Sequence, residues 1–421
     1  MAGIGLTLSG GGFRATLFHL GVVAFLRDEG VLSEVRHLCT VSGGSILGAH
    51  LVLHWENYNG TLEEFQREAS KVIAFTKSGV RERLVRKWLL ALMTIVGRLY
   101  PPGTRAWSRV NLWQHELASL YGEAMMKDLE QSSHLPKKPA IELLSTSMLT
   151  GRMCYFSPSR FHHDPPSEKG KNLVYENIWV KTFRIGEKIR EFVERGLSAK
   201  MRAVVYPCVE RGIRVSFAVA ASSAFPPFFP PLRLRGSGLG VNDNEWLTDG
   251  GVYENLGIRR MQQLHKDPNV NHDAVLVSDA SGLFYLIPES PWGFITSRIV
   301  RATDILMKRI ADLESERTEG LSTAKKFISC PIDASVSGSR LGDAEPLVPR
   351  IRTDLNAFSN EEVYALLWHG YETAREVWER RAPEGLKTGR AKGEALYFLG
   401  KIDTKRLADR MQQSHRLRLL W

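Results

Sequence analysis

The sequence predicts an α/β layer fold with a strand-and-helix alternation. Two observations carry this: an apolar run, a glycine turn and a helical segment follow one another twice within residues 4–53, and further strand-like runs stand at 213–221 and 274–278. The 421 residues, 43% hydrophobic and 24% charged, are composed like a soluble globular chain and suffice for one large domain or two unequal ones.

Residues 4–8 form a short apolar run that stops at Ser9 and three glycines, Gly10, Gly11 and Gly12. Leu17, Leu20, Val23 and Ala24 then keep helical spacing until Gly30, which reads as strand, glycine loop, helix. Residues 35–41 repeat the strand and end in Ser42-Gly43-Gly44 before a mostly apolar helix over 46–53. Residues 56–135 turn polar, helical and Trp-rich, with Pro101-Pro102-Gly103 as the clearest break, and read as a helical insertion or lid over the sheet. A strand pair is expected over 140–156, a surface loop over 157–172, and a strand end at Leu247-Thr248-Asp249 followed by Gly250 and Gly251. From about residue 290 the pattern is mainly helical, with a capping box at Ser359 and Glu362.

No run of about 18 uncharged apolar residues occurs, so no single helix is expected to span a bilayer. The start of the chain lacks a basic region and a long apolar core, which predicts no cleaved signal. Cys39, Cys154, Cys208 and Cys330 lie far apart, without metal or redox spacing, and predict free thiols in a reducing cytoplasm. The net charge of +10 is concentrated: residues 81–110 hold seven Arg or Lys against Glu82, and 387–421 hold nine against three acids. Such clusters suit a solvated face or a polyanion, either an anionic lipid surface or nucleic acid. Nucleic acid rests on charge alone, because no zinc spacing or helix-turn-helix signature accompanies it, and it is not expected as a partner.

Ester cleavage by a serine requires a presented hydroxyl, a base for its proton and amide donors where the carbonyl oxygen gains charge. Thr40-Val41-Ser42-Gly43-Gly44 has the form of a strand-to-helix elbow presenting Ser42, with Thr40 where the pattern has its first glycine. Ser45 competes, but Leu47 stands where its second flanking glycine belongs. Gly10 to Gly12, between a strand and a helix, offer amides to an anionic oxygen, with Arg14 as a basic accessory. A nucleotide loop fits less well, since Ala15 replaces the last glycine of GxGxxG and no Gly-Lys-Ser/Thr follows. Asp249, at a strand end before two glycines, is a candidate base.

Taken together and in this order, the glycine loop, the elbow and the Asp249-Gly250-Gly251 turn resemble the patatin-like phospholipases. The block from Ala221 through Phe225 to Pro231 and the segment Ser278-Asp279-Ala280-Ser281-Gly282 are similar to that family as well, so the resemblance covers residues 4–282. It implies a three-layer α/β/α fold with a central, mostly parallel sheet and a helical C-terminal region. The implied division is a patatin-like unit over 1–290, carrying the 56–135 insertion, and a helical extension over 291–421 packed on it. It also implies a serine lipid acyl hydrolase without cofactor or metal, with Ser42 as nucleophile, Asp249 as base, Gly10, Gly11 and Gly12 as oxyanion-loop positions and Arg14 as accessory. The implied substrate is a phospholipid or other acyl lipid, met in the cytoplasm with peripheral contact to the inner membrane face. Ser9 stands where the family often has an acidic residue.

Two other readings remain at this point. A Ser/His/Asp esterase needs a histidine after the acid, and His265, His272, His369 and His415 qualify by order, though none has a supporting motif. A lipid-binding chain that kept the fold and lost turnover is the other, and Thr40 is the residue that speaks for it. His19 reads as a satisfied helix histidine, and His162-His163-Asp164 lacks further metal ligands in its loop. Residues 88–96 form an uncharged apolar run beside Arg83, Arg86, Lys87 and Arg98, suited to an interfacial or lid helix or to a core helix.

Overall fold

The computed structural model describes residues 3–93, 108–130, 137–163, 212–226, 228–235, 244–281, 295–322 and 327–414. Its strands are β1 (Ile4–Leu8), β2 (Val35–Val41), β3 (Ala140–Ser147), β4 (Met153–Phe156), β5 (Phe161–His163), β6 (Leu232–Arg235), β7 (Asn244–Asp249), β8 (Ala274–Asp279) and β9 (Phe327–Pro331). They build one sheet in the order β5-β4-β3-β2-β1-β8-β9, with β7 also on β3 and β6 on β7. The run from β3 through β2, β1 and β8 to β9 is parallel, and the β4, β5, β6 and β7 pairings are antiparallel.

Parallel central strands are covered on both faces, which is why β1 is buried at every position and reads as a continuous apolar run. The strand period of two sorts side chains between two cores. Ala274 and Leu276 of β8 join the larger core with Ile4, Leu6 and Leu8, whereas Val275 and Val277 join Cys39, Val41, Ile258 and Met261 on the opposite face. Helices α1 (Gly12–Glu29) and α2 (Gly43–Leu53) belong to the first core. The result is the three-layer α/β/α arrangement.

The insertion supplies α3 (Leu62–Lys77), α4 (Val80–Met93) and α5 (Arg109–Tyr121). Trp113 of α5 is buried and its indole N–H donates to Ser223 Oγ at 2.9 Å, while the Tyr121 hydroxyl donates to Ile46 O at 2.7 Å. Pro101, Pro102 and Gly103 of this region, with Arg98, lie outside the described residues. So do most of the 157–172 loop, Asp164, Cys208, Gly282 and His415.

The strand expected at 213–221 is instead helix α6 (Val215–Ser222), buried at every residue. A segment that is apolar or small on all sides has no period to distinguish strand from helix, and its Ala and Ser side chains let a helix pack closely on its neighbours. Beyond it lie α7 (Ile258–Leu264), α8 (Ile295–Ser322), α9 (Asn360–Arg381) and α10 (Thr404–Ser414). The capping box at Ser359 and Glu362 starts α9.

The division at residue 290 does not fall between two cores. Strand β9 pairs with β8 in the shared sheet, and α9 packs directly on α1. A Cβ added at Gly21 of α1 would lie 2.1 Å from Leu367 O, and one at Gly370 of α9 would lie 2.1 Å from Phe18 O, so the two helix backbones touch. Cys39, Cys154 and Cys330 are buried free thiols. No described helix is long and apolar enough to cross a membrane.

Candidate active site

The ends of β1, β2 and β8 bring Ser9–Gly12, Ser42 and Ala280 to one edge of the sheet, the edge where parallel sheets collect ligands. Strand β2 stops at Val41, opposite Leu144 of β3, and β7 takes over the same side of β3 with Asp249 opposite Ser145. The two strands therefore meet end to end. Ser42 leaves the end of one and Asp249 the end of the other.

Ser42 has φ 49° and ψ −114°, and among the described residues it alone combines a side chain with positive φ. Such backbone strain is held only where the surroundings over-determine it, and it turns the side chain out at the start of a helix. The close packing behind it is visible at Gly43, where an added Cβ would lie 2.2 Å from Gly12 O. The glycine loop and the elbow are thus in backbone contact. Thr16 Oγ1 holds them together by donating to Gly43 O at 2.8 Å.

Thr40 is accommodated rather than tolerated. Its hydroxyl meets Ser45 Oγ at 2.9 Å, Ser45 Oγ meets Ser222 Oγ at 2.8 Å, and Ser222 Oγ donates to Leu144 O at 2.5 Å and accepts from the Ser42 amide at 3.0 Å. The methyl of Thr40 fits because Gly48 lies opposite, where an added Cβ would come within 2.5 Å of Thr40 Cγ2. Ser45, buried in this chain of hydroxyls, is committed to the scaffold.

Asp249 is 2% exposed, and its Oδ1 accepts from the Gly251 amide at 2.7 Å. Its backbone is held by Ala224 O and Thr146 Oγ1. Burial pushes its carboxyl up to about 7, against the lowering effects of the Ser42 side chain and the Gly251 amide. The Ser42 side chain lies against this carboxyl and lowers its pKa, while Oδ2 has no hydrogen-bond partner among the described residues.

The three loop glycines are not equivalent. The Gly10 amide donates to Asn255 O at 3.1 Å, and Gly10 is buried. Gly11 and Gly12 are partly exposed, and their amides meet no acceptor among the described residues. Ser9 anchors the loop as a hydroxyl, accepting from the Ala280 amide at 2.7 Å and donating to Gly10 O at 3.2 Å. His19 backs it, with Nε2 3.0 Å from Ser9 O and Nδ1 2.6 Å from Ser278 Oγ. Arg14 is fully buried and donates to Ala280 O, Pro349 O and Ile351 O at 2.8, 3.0 and 3.1 Å. It pins the loop to the C-terminal segment instead of facing outward.

Asn255, His19 and the 349–353 segment carried no motif, and Ser222 stood in the family-like block without a role of its own. Their roles depend on contacts across hundreds of residues, and only the serine-rich run at Ser222 and Ser223 offered a local signal.

The described histidines that follow Asp249 in sequence, His265, His272 and His369, are elsewhere. His272 lies just before the start of β8, at the opposite edge of the sheet, with His37 Nδ1 and His265 Nε2 at 2.8 and 2.6 Å. His369 is buried in α9 with Nε2 2.7 Å from Ile332 O. His162 Nε2 lies 3.1 Å from Ser157 Oγ, and its ring stacks on Tyr155.

The family model described as "Patatin-like phospholipase" matches residues 6–261, more than half of the chain. The chain belongs to the patatin-like phospholipase family. Comparison with curated proteins gives no match. Among solved structures, human GIVD cytosolic phospholipase A2 is similar at 15% identity and TM-score 0.46, over 93% of this chain and 63% of that one. Its complex with methyl γ-linolenyl fluorophosphonate matches at 14% identity and TM-score 0.42, over 93% and 60%. VipD from Legionella pneumophila matches at 10% identity and TM-score 0.34, over 90% and 67%. This patatin-like chain therefore spans under two thirds of the human enzyme's chain.

Proposed function

We propose that this chain is a serine lipid acyl hydrolase in which Ser42 is the nucleophile and Asp249 its base. The observation that carries the reading is the strained Ser42 at a helix start, facing a buried carboxyl poised near neutral pH. Asp249 takes the Ser42 proton as Oγ attacks the ester carbonyl, and the carbonyl oxygen gains its negative charge against the Gly11 and Gly12 amides. Collapse breaks the ester bond, and the protonated Asp249 returns the proton to the departing alcohol. Water then attacks the acyl carbon as Asp249 accepts its proton, the acyl–Oγ bond breaks to release the carboxylic acid, and Asp249 returns the proton to Ser42 Oγ. Gly10, its amide taken by Asn255, shapes the loop rather than donating. Ser9, His19 and Arg14 hold that loop in place.

The proposed substrate is the acyl ester of a phospholipid or related lipid, following the family. The membrane contact is better assigned to α8 than to the basic turn of α4. Arg83 and Lys87 are paired with Glu116 at 2.8 and 2.6 Å, so among the described residues only Arg86 of that trio stands exposed without an ion-pair partner. Helix α8 instead exposes Ile305, Leu306 and Leu313 on one face, beside Arg309, and its Met307 borders Gly251 next to Asp249. An exposed apolar face on a helix whose other side borders the site suits a lipid surface.

The test is turnover of a soluble short-chain ester and of dispersed phosphatidylcholine by the parent chain, Ser42→Ala and Asp249→Asn. Hydrolysis of both by the parent and of neither by the variants is expected. Turnover surviving in Ser42→Ala overturns the reading.

A further inference from the structure

We propose that His50, His54 and Glu68 form a binding site for one divalent transition-metal cation of the zinc class. Helix α2, which starts behind Ser42, carries His50 in its last turn and is capped by His54 four residues later, the spacing that brings two imidazoles to one helix face. A single turn at Trp55–Tyr58 and the Thr61/Glu64 capping box then return the chain into α3, which brings Glu68 back against both rings. Glu68 Oε2 lies 3.9 Å from His50 Nε2 and 3.8 Å from His54 Nδ1, and the three potential ligand atoms all fall within 4.8 Å of one another. Ligand atoms around a tetrahedral zinc lie about 3.3 Å apart, so a cation draws them in by roughly 0.5–1.5 Å. Rotation of the partly exposed His54 and of the Glu68 carboxylate covers that distance.

The second observation is independent of the clustering. His50 is fully buried, and its Nε2, aimed at Glu68, has no hydrogen-bond partner among the described residues. Its other nitrogen, Nδ1, faces the buried Tyr58 hydroxyl at 3.1 Å. With Nδ1–H donating to the phenol oxygen, the Nε2 lone pair points into the cluster, the outer-shell arrangement that fixes metal-binding imidazoles. Burial also pushes the His50 pKa down to about 3, so the ring is a neutral donor. Asn57 Nδ2 and Arg67 Nε donate to Glu68 Oε1 at 3.1 and 3.5 Å, and Lys71 Nζ reaches Oε1 at 3.0 Å and Oε2 at 2.8 Å. Lys71 is half exposed and can keep Oε1 while the cation takes Oε2.

Two imidazoles and one carboxylate favour zinc, cobalt, nickel or copper over magnesium or calcium. Eight residues of helix put His50 about 12 Å from Ser42, so the cation clamps α2 to α3 and takes no part in ester chemistry.

The experiment uses the full chain after chelator treatment, titrated with Co²⁺ and then Zn²⁺ and followed by visible absorption and by melting temperature. One equivalent of Co²⁺ with ligand-field bands, displacement by Zn²⁺ and a raised Tm are expected. His54→Ala and Glu68→Gln, each shown folded by circular dichroism, lose the Tm shift and bind at least 10-fold more weakly. His272→Gln, in the other histidine cluster, binds as the parent does. The proposal is overturned if saturable one-to-one binding is absent, if His54→Ala and Glu68→Gln leave it intact, or if His272→Gln abolishes it.

Discussion

Acidification should silence this site in a way set by one carboxyl. As the proposed base, Asp249 has to be ionised to accept the Ser42 proton, and burial lifts it to about 7 from the ordinary 3.8. For a single base of that pKa, the ionised fraction falls from about 0.9 at pH 8 to about 0.01 at pH 5, so kcat/KM should drop about 90-fold across that range. Below pH 6 the slope should approach one decade per pH unit. The assay is kcat/KM on a short-chain p-nitrophenyl ester, with product read at the wavelength where nitrophenol and nitrophenolate absorb equally so that the product's own ionisation does not enter, and with circular dichroism at each pH to confirm that the chain stays folded. A midpoint near 4, or a profile flat from pH 5 to 8, would refute the claim that a desolvated Asp249 is the working base. A midpoint near 7 that persists in the residual activity of Asp249→Asn would assign the titration to another group.

Asp249 also has a stability signature. Between pH 3.8 and about 7 the unfolded carboxyl is ionised while the folded one keeps its proton, so stability falls as pH rises through that window, by about 4 kcal/mol in all. Asp249→Asn lacks this fall, and its Tm should gain on the parent's from pH 4 to pH 8; a constant difference would contradict the burial argument. Gly48→Ala should destabilise by about 1–3 kcal/mol through overpacking against the Thr40 methyl, as read by denaturant unfolding. Adding Thr40→Ser, which keeps the hydroxyl and removes the methyl, should recover most of the loss, and additive effects would deny the contact. His265→Gln, His272→Gln and His369→Gln should retain substantial esterase activity, whereas a loss of about 10³-fold in any of them would point to a triad. Ile305→Ser with Leu306→Ser should weaken binding to anionic vesicles and leave soluble-ester turnover near the parent value. Unchanged vesicle binding would move the membrane contact elsewhere.

What could be read from the sequence was what the local backbone dictates. Strand-glycine-helix segments at Gly10 to Gly12 and at Ser42 have few conformations open to them, and the order of those segments with Asp249 pointed to the family. The helix Val215–Ser222 looks like a strand in the sequence because a run with no polar face carries no period. The contacts of Pro349 and Ile351 with Arg14 were hidden by more than 300 residues of intervening chain, and the pairing of β9 with β8 by the helical stretch between them. Thr40 stood out as a departure because its compensation is tertiary: Gly48 makes room for the methyl, and Ser45 and Ser222 occupy the hydroxyl. The basic turn at Arg83 and Lys87 looked available to lipid because Glu116, which neutralises it, comes from another helix.

The most direct measurement is covalent labelling of the parent chain by a fluorophosphonate, followed by peptide mapping of the modified serine. The account predicts a single phosphonylated residue, Ser42, with labelling abolished in Ser42→Ala, strongly slowed in Asp249→Asn and unchanged in site for Thr40→Ser. Labelling at Ser45 or at any other serine, or undiminished labelling in Ser42→Ala, would contradict it.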